Sequence, residues 1–219
     1  MRVVIAGGHG KIARLLEREL TGRGATAVGL IRNLDHAAAL RAAGALPVAC
    51  DLERAGVEEV AGHLSGADAV VFAAGAGPGS GAARKDTVDR AAAVLLADAA
   101  QAAGVRRYLL VSSMGVDQPP AAGTDEVWAA YLAAKKAAED DIRGRDLDAT
   151  VLRPGRLTDD PPTGRITLAP HVPPGAVTRT DVARVLVALL QHPGTAGAVL
   201  ELTDGDTPIA DAVAAVDTP

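Results

Sequence analysis

Residues 3–13 read Val3-Val4-Ile5-Ala6-Gly7-Gly8-His9-Gly10-Lys11-Ile12-Ala13. A short, wholly apolar run closed by two glycines predicts a strand buried on both faces. Beyond it Ile12, Ala13, Leu15, Leu16 and Leu20 recur at helical spacing, with Arg14, Glu17, Arg18 and Glu19 between them. A helix therefore opens directly on the turn. Such a turn needs glycine where the chain bends sharply and where backbone comes close to a ligand. It also needs a small residue where helix meets strand. Gly7, Gly10 and Ala13 meet these demands. The first N–H groups of a helix have no partner within it, so they are free to hold a diphosphate. Gly8, His9, Lys11 and Ile12 complete the turn; His9 and Lys11 either reach phosphate or stay solvated.

The alternation continues along the chain. Strands are predicted at Ala25–Ile31, Ala45–Cys50, Ala69–Ala74, Tyr108–Ser112, Ala149–Leu152 and Ala198–Leu202. Helices are predicted near residues 36–43, 56–64, 84–103, 126–143 and 180–191. This pattern predicts a parallel sheet with helices on both faces, joined by right-handed crossovers. Residues 1–219 read as one α/β domain with a doubly wound Rossmann fold. Residues 154–178 break the rhythm. Pro154, Pro161, Pro162, Pro170, Pro173 and Pro174 predict a loop there, with at most a short strand at Arg165–Leu168. The expectation is a loop that covers substrate, against the plainer reading of a solvated connection.

The second strand ends Val28-Gly29-Leu30-Ile31-Arg32-Asn33. A carboxylate roughly 20 residues past the glycines would bond an unmodified ribose. None stands there. Arg32 does, and a guanidinium pairs bidentately with a phosphate. The expected cofactor is therefore NADP(H), with Asn33 beside it. The missing acid also weighs against an S-adenosylmethionine methyltransferase. Asp51 and Leu52, just past the third strand, are expected beside the adenine. Ala73, Ala74 and Gly75, after the fourth, are small enough for close approach to the cofactor.

Composition narrows the partners. A chain that is 48% hydrophobic and 22% charged can bury a full core and is not a disordered segment. A net charge of −5, without a basic stripe interleaved with aromatics, weighs against nucleic-acid binding. No apolar run reaches the roughly 18 residues of a membrane span. The N-terminus enters a strand at once, so a cytoplasmic protein is expected. Cys50 is the single cysteine, which excludes an intrachain disulfide, and it closes an apolar run where a small buried hydrophobe fits. No metal site is expected. The partner is a small-molecule substrate, and the chain is a monomer or a homodimer.

With these pieces assembled, the chain resembles the short-chain dehydrogenase/reductase superfamily, in particular its atypical NAD(P)H-binding members with an extended-type glycine motif. The likeness is carried by VVIAGGHGKIA (3–13), RRYLLVSSMG (106–115), YLAAKKAAED (131–140), ATVLRPGRLTDDP (149–161), TRTDVARVL (178–186) and GDTPIADA (205–212). The resemblance implies a sheet of about seven strands in the order 3-2-1-4-5-6-7. It places nicotinamide near the ends of strands four to six, with Ser112, Pro154 and Gly155 beside it.

Tyr131 and Lys135 stand four apart on a helix, so both side chains share a face. Reducing a carbonyl needs a proton donor at the developing alkoxide, and the reverse reaction needs a base. A free phenol, with a pKa near about 10, is a weak base at neutral pH. A neighbouring ammonium stabilises the phenolate and brings it into range. In the family the same lysine holds the ribose hydroxyls. Composition sharpens the point: Lys11, Lys85, Lys135 and Lys136 are the only lysines, and Tyr131 is one of two tyrosines.

The usual third member is a hydroxyl after strand five. Ser112-Ser113-Met114 stands there; in many extended relatives the hydroxyl would fall at Met114, and Ser113 is the substitute. Asp89 takes the place of the family's helix-four asparagine, unless it merely pairs with Lys85 one turn earlier. His171 is either a substrate contact or a solvated loop histidine, and Asp181 reads as a helix-capping carboxylate. The first functional expectation is an NADPH-dependent oxidoreductase acting on a small carbonyl, quinone-like or sugar-nucleotide-like substrate. The alternatives are a non-catalytic NADP(H)-binding redox sensor and an NADP-dependent epimerase or dehydratase.

Overall fold

The computed structural model describes residues 1–77, 79–119 and 123–216. The elements run β1 (Arg2–Ala6), α1 (Lys11–Thr21), β2 (Thr26–Ile31), α2 (Ala37–Ala42), β3 (Leu46–Ala49), α3 (Val57–Leu64) and β4 (Ala69–Phe72). Next, α4 (Ala82–Arg84) passes through a π-helical stretch, Lys85–Ala91, into α5 (Ala92–Ala102). β5 (Arg107–Val111), α6 (Glu126–Arg143), β6 (Asp148–Pro154), β7 (Arg156–Thr158), β8 (Arg165–Ala169) and β9 (Ala176–Thr178) follow. The chain ends with α7 (Arg179–Gln191), β10 (Val199–Asp204), β11 (Thr207–Pro208) and α8 (Ile209–Ala214).

The main sheet has nine strands in the order β11-β8-β10-β6-β5-β4-β1-β2-β3. Its parallel part, β3-β2-β1-β4-β5-β6-β10, is the expected seven-strand order. The two extra strands are antiparallel additions, with β8 pairing β10 on one side and β11 on the other. This corrects the loop expected after Pro154. Its prolines bracket β8 rather than forbid it, since Pro161, Pro162 and Pro170 lie outside Arg165–Ala169. β7 and β9 form a separate parallel pair. The helix expected over 84–103 is likewise three pieces, with the wide turn at Lys85–Ala91.

Successive residues of a strand face opposite sides of a sheet. Val3 and Ile5 therefore enter one core with Leu16, Leu20, Leu186 and Leu189, while Val4 and Ala6 enter the other with Phe72, Leu96, Tyr108 and Ile142. That double burial is why β1 is apolar throughout. α5 buries Ala92, Ala93, Ala97, Ala99 and Ala100, and side chains that short let it lie close to its neighbours. Among the described residues no helix is long and apolar enough to cross a membrane.

Candidate functional site

The turn after β1 is tight because its glycines leave no room for a side chain. Gly7 has φ +79°, and a Cβ on it would fall 2.6 Å from the Ala74 Cα. Gly8 donates its N–H to the Leu30 carbonyl at 3.0 Å, and a Cβ there would fall 2.8 Å from the Gly29 Cα. The turn is thus clamped between β2 and the loop that follows β4. Gly10 precedes α1 without a side-chain cap, and no carboxylate stands in the first helical turn. The N–H groups there are left for an anion.

A cavity of ≈ 270 Å³ opens at this turn. Of the residues expected to hold the cofactor, Gly7, His9, Gly10, Arg32, Asp51, Leu52, Ala73, Ala74 and Gly75 line it. The others are placed elsewhere. Gly8 is the backing of the turn, and Ile12 packs against the core. The Lys11 ammonium pairs with Asp159 at 2.6 Å, and Asn33 caps the short turn of Leu34–His36 by accepting from the Asp35 N–H. Gly155 lies against Gly175 and donates to the Leu202 carbonyl, while Pro154 O accepts from the Met114 N–H.

Glu53 and Arg84 were not legible as site residues. The Glu53 carboxylate accepts from Arg84 at 2.6 Å, Arg32 at 3.2 Å and the Thr87 hydroxyl at 2.8 Å. The Arg84 hydrogen bond leads in holding Glu53 below the usual carboxylate range. Two guanidiniums, one just past β2 and one at the end of α4, therefore converge on one anion. His36 stacks on His9 with centroids 3.7 Å apart, and burial, then the His36 charge, lowers His9.

Glu17, on α1, is sealed behind the turn. Both of its oxygens lack a hydrogen-bond partner, and a Cβ on Gly29 would fall 2.5 Å from its Oε1. Burial pushes its carboxyl up to about 8. A neutral group behind the turn adds no negative charge against a bound phosphate.

The expected catalytic residues come together beside this cavity and are joined to its lining through Asp89 and Ala76. Lys135 is buried on α6, with its Nζ 3.4 Å from Asp89 Oδ1 and 3.1 Å from the Val111 carbonyl it donates to. Burial lowers Lys135, and Asp89 works against that shift. Asp89 also accepts from the Ala76 N–H at 3.1 Å, which ties it to the loop lining the cavity. Lys85 does not serve as its partner; its Nζ donates to the Gly77 carbonyl at 3.0 Å. The Ser113 hydroxyl donates to the Met114 carbonyl at 3.1 Å and, as the nearby hydroxyl, works against the upward shift of the Tyr131 phenol. Burial, then the Asp89 charge, pushes Tyr131 up to about 12, against the expected lowering by a lysine. In this protein the lysine charge is matched by Asp89 before it reaches the phenol.

Ser112 is drawn away from the crevice. Its hydroxyl donates to Glu139, which also receives Arg153 Nε at 3.0 Å. Arg153 in turn reaches Asp117 at 2.5 Å. This network fastens β6, α6 and the loop after β5 behind Lys135. Asp181 is not the cap of α7: Thr178 is, accepting from the Asp181 N–H at 3.0 Å. The buried Asp181 carboxylate accepts instead from Thr163 N at 2.9 Å and Gly164 N at 3.1 Å, holding the turn before β8. His171 is exposed. Cys50 is buried beside the cavity, and burial raises its thiol to about 11.

A family profile described as NAD(P)H-binding matches residues 7–193. A protein of Bacillus subtilis (strain 168) named as an uncharacterized sugar epimerase is 33% identical over 97% of this chain and 99% of its own. A solved Bacillus halodurans structure, named as an NAD-dependent epimerase/dehydratase, is 36% identical and superposes with a TM-score of 0.91, covering 99% of this chain and 100% of its own. An oxidoreductase structure from Lactococcus lactis is 27% identical with a TM-score of 0.85, covering 99% and 96%.

Proposed function

The chain belongs to this NAD(P)H-binding family, of the atypical short-chain dehydrogenase/reductase type, and on that premise we propose that it is an NADP(H)-dependent reductase of a small carbonyl or quinone-like substrate. The observation that carries the reading is the Tyr131 ring set 5.8 Å from the ammonium of the buried Lys135–Asp89 pair, which Asp89 ties to the cavity loop through the Ala76 N–H.

The residues present fit the cofactor. The uncapped α1 terminus and the side-chain-free Gly7 would hold the diphosphate, Ala73–Gly75 would admit its backbone, and Arg32 would meet a 2′-phosphate. Arg84, sharing Glu53 with Arg32, adds a second positive charge for it. Carbonyl reduction adds a hydride to carbon and a proton to oxygen; the bound reduced dinucleotide would supply the hydride with its electron pair and be oxidised.

The rest falls to the chain. Tyr131, held protonated well above neutral pH, donates the proton to the substrate oxygen and regains one from water. Ser113 polarises the same oxygen. Lys135 offers its ammonium to ribose hydroxyls, and Asp89 fixes that ammonium. The segments on either side of β8, residues 159–164 and 170–175, would cover the substrate. An epimerase, as the Bacillus relatives are named, begins by taking hydrogen from its substrate, which needs a base; a phenol pushed up to about 12 supports the donating role.

The test follows nicotinamide absorbance with NADPH against a panel of aldehydes, ketones and quinones. Turnover that Tyr131→Phe abolishes while NADPH still binds supports the reading. Absence of turnover across the panel, or full activity in Tyr131→Phe, overturns it.

A further inference from the structure

Cys50 stands directly past β3, and its N–H extends the β2–β3 ladder by donating to the Ile31 carbonyl at 2.9 Å. Its side chain is 5% exposed and joins the core that holds Val60 and Leu64 of α3. The same helix carries Glu59 and His63, four residues apart and therefore one turn from each other on one face. The Cys50 Sγ, a Glu59 carboxylate oxygen and a His63 ring nitrogen all lie within 4.8 Å of one another. The thiol is buried, the imidazole half-buried and the carboxylate exposed, so the donors step outward from the core to solvent. The Arg2 guanidinium donates to the His63 carbonyl at 3.3 Å and holds that end of α3 in place. Sequence spacing hides the group, since Cys50 precedes Glu59 by 9 residues and His63 by 13.

None of the three is spent elsewhere. The cysteine is free, and among the described residues the Glu59 and His63 side chains make no hydrogen bond or ion pair. Glu19, Glu53 and Glu139, by contrast, are each taken by an arginine. The charges that bear on the thiol come from Glu59 and Asp51, and both are negative. Zinc bonds of about 2.3 Å to sulphur and about 2.1 Å to nitrogen or oxygen set tetrahedral ligands roughly 3.5 Å apart. The spacing here needs only a small rotation of the exposed Glu59 and the half-buried His63 to reach that geometry.

We propose that Cys50, Glu59 and His63 form a binding site for a thiophilic divalent cation of the zinc class, with its fourth position open to water. Sulphur and imidazole select such an ion, whereas magnesium and calcium take oxygen ligands. As the metal–sulphur bond forms, the thiol proton leaves to solvent. One thiolate and one carboxylate then balance the two positive charges of the ion. Cys50 also lines the cofactor cavity beside Asp51 and Leu52. The bound ion would therefore pin the end of β3 to α3 at the wall expected to receive adenine. The acid–base centre at Tyr131 takes no part in it.

The full chain, reduced and stripped of metal by a chelator, is titrated with cobalt(II). A cobalt–thiolate bond gives a charge-transfer band in the near ultraviolet, and a tetrahedral site gives strong visible bands. Both are expected to saturate at one ion per chain, to be bleached by zinc and to ignore a large excess of magnesium. Because Cys50 is the single cysteine, the charge-transfer band reports this thiol alone. Zinc affinity is read by competition with a chromogenic chelator. His63→Ala should weaken it by about tenfold or more and Glu59→Gln should act in the same direction, while His171→Ala, on an exposed loop, should not. Absence of the charge-transfer band at saturating cobalt, or zinc affinity unaltered in both His63→Ala and Glu59→Gln, overturns the proposal. So does a band that forms only with two chains per ion in sedimentation, which would place the metal between copies. No turnover is read, so the outcome is separate from whether the chain reduces carbonyls.

Discussion

The Lys135 ammonium lies 3.4 Å from the Asp89 carboxylate, and both groups are sealed from water. Each makes the burial of the other tolerable. Removing one partner of such a pair leaves an uncompensated charge and costs about 3 kcal/mol. Asp89→Asn should therefore lower the unfolding free energy by about that amount, read by urea denaturation. Asp89 also holds Tyr131 up, so the same variant should move the alkaline fall in kcat to lower pH. An unchanged midpoint and profile would show that the pair carries neither role.

In the unsubstituted protein Tyr131, at about 12, stays protonated across the neutral range. The reductive rate should be flat between pH 6 and pH 9 as far as this group is concerned, and should fall only as pH approaches that value. Tyr131→Phe should cost about 10²–10⁴ in kcat, with NADPH affinity retained. The measurement is a pH profile of kcat with saturating NADPH. A fall centred near neutrality that disappears in Tyr131→Phe would mean the phenol works as a base.

Glu17 gives stability its own pH dependence. Its folded value, about 8, lies above the ordinary 4.5 because burial disfavours the charged form. A carboxyl raised on folding contributes its stability below the unfolded value and loses it as pH climbs to the folded one. The protein should therefore lose a few kcal/mol between pH 4.5 and 8 through this group. Glu17→Gln, nearly isosteric and uncharged, should flatten that slope and raise Tm at pH 8 relative to the unsubstituted chain, read by calorimetry across the range. Parallel Tm curves for the two proteins would refute the assignment.

The Arg32 side chain is 57% exposed, so it can be removed without disturbing the core. Arg32→Ala should weaken NADPH binding by about tenfold or more, as expected for a lost charge-assisted contact, and leave NADH unchanged. Arg84→Ala should act in the same direction, more weakly. Isothermal titration with both nucleotides decides it, and equal affinities in the unsubstituted protein would defeat the NADP(H) assignment.

The glycine turn and the meeting of Tyr131 with Lys135 were legible in sequence because each is a local pattern, a turn residue or a spacing, whereas the parallel strand order followed from the family resemblance. β8 was legible only as a short strand at Arg165–Leu168; its place in the main sheet, and β11 altogether, were not. Residues paired across these strands stand 32 to 43 apart in sequence, and the density of prolines around Arg165–Ala169 pointed to a loop. Glu53 and Arg84 escaped for a similar reason. A ribose-binding carboxylate belongs after β2, whereas this one arrives after β3 and draws in an arginine from α4. The shift of Tyr131 was not legible either, because sequence shows that a lysine is near but not that an aspartate has already claimed it.

β8 brings the chain back from the crevice mouth and stitches it into the sheet between β10 and β11. The stretches on either side of that stitch, residues 159–164 and 170–175, hang as short hoops fixed at both ends by hydrogen-bonded backbone. Recognition can then diverge one hoop at a time, over evolution or by grafting, while the nucleotide frame built on β1 keeps its shape.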